Sequence, residues 1–433
     1  MRTPSLALAA SIVAALAAIP AQAASSPTSR PLSGTQVGLD AGVARTSAAA
    51  APTVRGPAGA AFYRAPAGRI AGAHGSVVWT RAATGLVRMA GAGRDVLVLY
   101  RSRSFDGTPI AVSGSVHLPK GTPPAGGWPI VSWAHQTVGA ADSCAPSRVV
   151  ATSPERDRMQ RGDPLTRRLL KAGIAVARTD YQGLGTPGPH PYLSGLSEAR
   201  SVIDIVRAAR VVEPRVGRRW AVIGHSQGGQ AALFTAAIGD RWAPELRLRG
   251  AASLAPASHM SEIVALASSF TTVNPITGGL SALGGMILDG AAIVRPSLRK
   301  AYAGGGLSPA ARTLMKDVGD RCLEALGQAD SWGGIAPAAI IGPAADKVHL
   351  LYEALDAGDA AGLRIPSGVP VRLEQGLRDL VVFPQHTQAL YDAYRARGTD
   401  VTYVTYPQGD HAQLAGDAFA AGPLTAWAAA RLR

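Results

Sequence analysis

The sequence predicts an α/β protein with a mostly parallel central sheet and a helical cap subdomain inserted late in that sheet. Three observations carry this. Strand-length apolar runs alternate with segments of helical period from residue 128 to residue 256. The alternation then stops between 257 and 365, where Gly- and Ala-rich sequence holds only helical patches, and roughly 100 residues is too long for an ordinary loop. It resumes with a strand, a helix and a strand between 369 and 407.

Taken in order, the chain opens on Arg2, an apolar stretch from Leu6 to Ile19, and the small-residue site Ala21-Gln22-Ala23. Residues 1–23 read as a signal peptide for a secreted protein, with cleavage expected after Ala23, because the apolar core is short for a membrane span. Residues 24–60 are rich in Ala, Ser, Pro, Gly and Thr with little apolar patterning, and read as a disordered leader. The first part of the core is expected over 61–256. Strand signals begin near Ser76 to Trp79, and Asp95 to Pro119 holds two β runs around Asp106-Gly107, a hairpin pattern. Trp128 to His135 is nearly all apolar, as suits a strand buried on both faces. A helix over 163–172, a strand over 173–180, a helix over 197–212, a strand over 219–224, a helix over 227–238 and a strand over 249–256 follow. In the helix 197–212, Val202, Ile205, Val206 and Ala209 share one face.

The insertion, 257–365, is expected to be a cap with helices near 310–325 and 344–355. Its segment Pro275 to Val294 is apolar enough to suggest a membrane helix, but its glycines and Asp289 favour a cap helix lining an apolar pocket. Leu283, Met286 and Leu288, with Phe270, Leu280 and Ile287, are then the expected contacts for a substrate's acyl carbons. Residues 366–433 complete the core through a strand at 369–376, a helix at 384–397, a strand at 400–407 and a last helix from about Leu414 to Arg431.

Composition narrows the functional classes. The 433 residues are 47% hydrophobic and 17% charged, enough for a sizeable core. The net charge of +14 is scattered, with no basic block and only 5% aromatics, which argues against nucleic acid and leaves an anionic lipid or envelope surface as a partner. Cys144 and Cys322 are expected to pair in an exported chain, a bond worth roughly 4 to 5 kcal/mol through loop closure. Neither has a second Cys or a His at ligand spacing, so no metal site is expected, and no cofactor is called for.

The chemistry centres on Gly224-His225-Ser226-Gln227-Gly228. With 50 glycines in the chain, G-x-S-x-G would arise by chance about 0.4 times, so the pentapeptide alone says little. Its context says more. A strand ends at 224 and a helix begins at 227, which is the sharp strand-to-helix turn that lifts a serine hydroxyl above a sheet. Such a serine needs a base and an orienting carboxylate. Asp379 ends one late strand region and His411 follows the last strand, in the chain order Ser, acid, His. Asp410 is the rival acid and His386 the rival base, and Asp379 could instead cap a helix. The oxyanion donors are expected to be the backbone N–H of Gln227 and a second one from the loop after the strand at 128–135, supplied by Thr137 or Gln136.

The stretches SWAHQTVGAADSCAPS, DYQGLGTPGPHPYL, GHSQGGQAALF, QGLRDLVVFPQHT and QGDHAQL together resemble the secretory lipases of fungi and actinobacteria, in order and spacing, from about residue 75 to the C-terminus. The resemblance implies an α/β-hydrolase that hydrolyses carboxylic esters, often acylglycerols, with Ser226, Asp379 and His411 as triad and Cys144 bonded to Cys322. Gln136 stands where relatives commonly have glycine, and Gln182 where they often have glutamate. A secreted, monomeric esterase or lipase is therefore the expected function, with lipid contact through the cap. A short-chain esterase, acyltransferase or peptidase on the same fold is the alternative, and a non-catalytic binding protein a third.

Overall fold

The computed structural model describes residues 53–344 and 348–433. The strands are β1 (Val77–Ala82), β2 (Arg94–Arg103), β3 (Pro109–Leu118), β4 (Trp128–Ala134), β5 (Ala175–Thr179), β6 (Val216–His225), β7 (Arg247–Leu254), β8 (Val371–Gly376) and β9 (Val401–Tyr406). They form a single sheet in the order β1-β2-β3-β5-β4-β6-β7-β8-β9. The pairs from β1 through β3 to β5 are antiparallel, and every neighbouring pair from β5 to β9 is parallel. The hairpin at Asp106-Gly107 is the turn between β2 and β3, with Arg103 opposite Pro109.

Alternation along the central strands divides the core between two faces. Ile130, Trp220 and Val222 face the helices Gly195–Val212 and Gln227–Trp242, through Val202, Ile205, Val206, Ala209 and Leu233. Val131, Trp133, Ala221 and Ile223 face Asp163–Lys171 and Ala421–Leu432, through Leu165, Leu169, Leu424 and Ala428. With both faces covered, the parallel strands must be apolar on both, which is why they read as continuous runs. The carboxyl ends of β4, β6, β8 and β9 lie on one edge, where an open α/β sheet binds ligands.

The insertion between β7 and β8 has a core of its own, built on Met286, Leu298, Leu307, Leu326, Trp332 and Leu351. Its longest helix, Pro275–Val294, starts with a reciprocal cap between Asn274 and Thr277. Some 67% of its apolar stretch is buried inside the protein, as expected of a cap-core helix and not of one facing lipid. Two of its glycines allow close approach: a Cβ on Gly285 would come within 2.4 Å of the Trp332 ring, and one on Gly290 within 2.4 Å of the Tyr192 carbonyl.

The structure departs from the sequence reading at both ends. The leader was expected to run to residue 60, yet Arg55 bridges Thr80 of β1, and Phe62 and Tyr63 bury against Trp79 and Leu99. Two aromatic side chains supply the apolar area that composition concealed. The stretch expected to be a signal peptide and most of the expected leader lie outside the described residues. The last helix begins at Ala421, not near Leu414. Residues 411–420 form a chain of turns in which Leu414 is buried without being helical, and Asp417 pairs with Arg168 at 2.5 Å.

Cys144 and Cys322 form a disulfide that ties the loop after β4 to the cap. Beside it, Gly139 bridges Cys322 and the Leu323 N–H donates to the Val138 carbonyl at 3.1 Å.

Candidate active site

Ser226 sits between β6 and the helix Gln227–Trp242 at φ 58°, ψ −115°, a backbone conformation that L-residues rarely adopt. The surroundings hold it there. Its N–H donates to the Leu254 carbonyl at 2.8 Å, and its carbonyl accepts from Gln230 at 3.1 Å and from Ala257 at 3.2 Å. The turn is closed so tightly that a Cβ on Gly224 would lie 1.9 Å from the Gly228 carbonyl, and one on Gly228 would lie 2.0 Å from the Ala134 carbonyl. Both glycines are therefore required by packing.

His411, in the loop after β9, directs Nε2 to the Ser226 hydroxyl at 3.0 Å and Nδ1 to Asp379 Oδ2 at 2.7 Å. Asp379 follows β8 and its carboxylate is wholly buried. Its Oδ1 accepts the N–H groups of Val381 and Val382 at 2.8 and 2.9 Å, so the same side chain caps a turn and orients a histidine. Behind it, Gln375 donates to Oδ2 at 3.3 Å and is held by the Thr387 hydroxyl at 2.6 Å. The rivals are elsewhere. Asp410 accepts from the Gln413 N–H on the surface, and His386 faces Glu262 at 3.5 Å. His225 packs its ring 4.8 Å from that of His411 and is fully buried; burial pushes it well below the usual histidine range, so it is a neutral plate beside His411.

A cavity of about 880 Å³, counting its open mouth, starts at Ser226 and runs under the cap. Thr137 lines it, with its hydroxyl 2.8 Å from the Tyr192 hydroxyl. Gln136 is not among the lining residues: its side-chain amide donates to the Arg158 carbonyl and its Oε1 has no partner among the described residues. Leu280, Leu283, Gly284, Ile287 and Leu288 line the cavity from the helix Pro275–Val294. Met286, expected to join them, is buried in the cap core on another face of that helix, because it falls out of the i, i+3, i+4, i+7 spacing that Leu280, Leu283, Gly284 and Ile287 keep. The opposite wall is Met260, Ile263, Val264 and Ala267 of the helix Met260–Ala267, which sequence reasoning passed over although the same spacing is legible there. Tyr192 and Leu193, from the turn-rich loop after β5, complete the wall next to Thr137.

A serine on a strained turn at the carboxyl edge of such a sheet, hydrogen-bonded to a histidine that in turn is bonded to a carboxylate, defines an α/β-hydrolase. Solved structures agree on the fold: Candida antarctica lipase A superposes with a TM-score of 0.67 at 18% identity, covering 81% of this chain and 80% of that one. The rice cell wall degrading esterase LipA from Xanthomonas oryzae does so with a TM-score of 0.67 at 21% identity, covering 84% and 100%. Residues 157–433 match the secretory lipase family, and the chain belongs to that family. A probable inactive lipase of Mycobacterium tuberculosis is 27% identical over 381 residues, 82% of this chain and 78% of that protein. Family and fold together make this a hydrolase of the lipase and esterase class.

Proposed function

We propose that this protein is a secreted serine carboxylic-ester hydrolase acting on acylglycerols or related acyl esters. The observation that supports this most is the 3.0 Å contact between His411 Nε2 and Ser226 Oγ at the floor of an apolar cavity. The Ser226 hydroxyl attacks the ester carbonyl while His411 takes its proton, and Asp379 holds the imidazole tautomer with Nε2 free to accept. Negative charge on the carbonyl oxygen is met by the Gln227 N–H, at the positive end of its helix, and by the Thr137 hydroxyl. Tyr192 can donate to Thr137 and so leave the threonine's single proton for the oxyanion. The imidazolium then protonates the leaving alcohol, and a water, activated by His411, releases the acid and restores Ser226.

The acyl chain is assigned to the cap cavity. Each buried methylene contributes about 0.8 kcal/mol, which favours medium or longer chains over acetate. Val273 and Ile276 of the cap, and Leu377, Leu380 and Val381 on either side of Asp379, are exposed, which suits contact with a lipid aggregate. Export with cleavage after Ala23 and a monomeric state complete the reading.

A non-catalytic role deserves a test because a relative of similar length is named a probable inactive lipase. Purified protein is assayed on p-nitrophenyl esters of increasing chain length, on emulsified triacylglycerol and on peptides, and exposed to a fluorophosphonate. Ester turnover with stoichiometric labelling of Ser226 is expected. No labelling and no turnover would sink the enzyme reading, and fastest turnover of acetate would mean a short-chain esterase.

A further inference from the structure

Glu198 is a buried carboxyl that the mechanism above does not use. It lies in the first turn of the helix Gly195–Val212, where an acidic side chain ordinarily faces water or caps the helix. Here it does neither. It is 1% exposed and meets the side chain of the residue that follows Ser226. Its Oε1 accepts from the Gln227 side-chain amide at 2.7 Å and from the Leu193 N–H at 3.2 Å.

Those two partners belong to opposite sides of the oxyanion site. Gln227 is the residue whose backbone N–H follows the nucleophile. Leu193 adjoins Tyr192, whose hydroxyl is 2.8 Å from Thr137 Oγ1. Leu193 is itself held at φ 59°, a conformation that a leucine keeps only under constraint. The second proton of the Gln227 amide faces His190 Nε2 at 3.1 Å, while His190 Nδ1 donates to the Gln182 carbonyl at 2.7 Å. From above, the Tyr192 backbone is pressed by the cap helix at Gly290.

We propose that Glu198 is a positioning residue that fixes the spacing between the Gln227 donor and the Tyr192–Thr137 donor of the oxyanion site. The proposal rests on the esterase reading above and assigns Glu198 no contact with substrate. Its environment disfavours the ionised form. Burial pushes its carboxyl up to about 8, against the lowering by the Gln227 amide and the Leu193 N–H. The titratable groups around it are neutral too: burial lowers His190 to about 4, and raises the phenols of Tyr181 and Tyr192. A neutral acid accepts both N–H groups without placing a negative charge behind a developing oxyanion; an ionised one would oppose it.

The test compares Glu198→Ala with Glu198→Gln, whose carbonyl oxygen can still accept both hydrogen bonds. Loss of an oxyanion donor costs about 10²–10³ in kcat, so its misplacement in Glu198→Ala should cost about 10–100-fold with KM within about twofold. Glu198→Gln should stay within about threefold of the parent at pH 7 and lose the fall in kcat expected of the parent above about pH 8. An unchanged kcat in Glu198→Ala, or a loss as large in Glu198→Gln, overturns the proposal. If Glu198→Ala does not fold, Glu198→Gln decides alone, and an alkaline fall that persists in it overturns the idea. Amide exchange at Leu193, measured in the parent and in whichever variant folds, needs no turnover. Faster exchange in Glu198→Ala is expected, and unchanged exchange overturns the coupling. A parent protein that hydrolyses no ester would instead remove the esterase reading and leave the exchange result standing.

Discussion

The sheet and the cap hold their side chains in different ways. At the carboxyl edge of the sheet, position is set by backbone. Ser226 is forced to φ 58°, Gly224 and Gly228 leave no room for a Cβ, and Asp379 is pinned by two amides. In the cap, the cavity wall is aliphatic side chains on the helices Met260–Ala267 and Pro275–Val294, which make no directional bonds to what they enclose. The first arrangement tolerates almost no change and suits bond making. The second tolerates substitution of similar volume and suits selection by size. On the proposed reading, one protein thus separates where it reacts from what it admits.

The largest effect expected comes from the sheet side. Ser226→Ala or His411→Ala should lower ester turnover at least about 10⁴-fold, and Asp379→Asn nearly as far through the wrong imidazole tautomer. Circular dichroism should find each variant folded. A mild Asp379→Asn would mean that another acid orients the base.

The link between the two regions comes next. The disulfide closes a loop of 178 residues, and Cys322→Ser should cost about 2–5 kcal/mol of stability, read from the urea midpoint. Because Gly139 and Val138 lean on Cys322 and Leu323, turnover should fall further than the folded fraction does. Activity that tracks the folded fraction would show that the loop after β4 needs no support from the cap.

Substitutions in the cap should alter selection and leave chemistry intact. Leu283→Trp fills part of the cavity and should shift preference toward shorter esters, by about fourfold per excluded methylene. Met286→Leu, off the cavity, should leave the chain-length profile unchanged. If both variants shift it equally, the acyl chain lies elsewhere.

The smallest effect concerns the cap's lower contact. Glu155, buried beside the disulfide, accepts the Glu324 N–H and pairs with Arg158 at 3.3 Å, yet burial outweighs both and pushes its carboxyl up to about 7. A carboxyl raised in the folded state contributes stability that is full below its unfolded value and is lost as pH rises through the folded value. Glu155→Gln should therefore narrow the stability difference between about pH 5 and about pH 8, measured by thermal melts. An unchanged difference would mean that Arg158 neutralises Glu155 throughout.

Much of this is legible in the sequence. The central strand β4 follows from a nearly continuous apolar run, since it is covered on both faces, and β2 and β3 from the turn signal at Asp106-Gly107. The nucleophile turn follows from two glycines four residues apart between a strand and a helix. Asp379 and His411 were marked by position alone, at the ends of consecutive late strands, and the two cysteines had only each other to pair with. These features depend on local backbone geometry or chain order, and both are written directly in a sequence. What lay beyond it concerns faces and distances. Whether Leu283 or Met286 meets the cavity depends on which side of one helix the rest of the cap covers. Gln136 and Thr137 are neighbours in sequence, yet only the second lines the cavity, while the Gln136 amide is bound by the Arg158 carbonyl. Glu198 reads as an ordinary helix-start acid until the fold buries it under Gln227. Burial and the choice of partner belong to the packed molecule, where residues 29 and 55 positions apart share one hydrogen-bonded site.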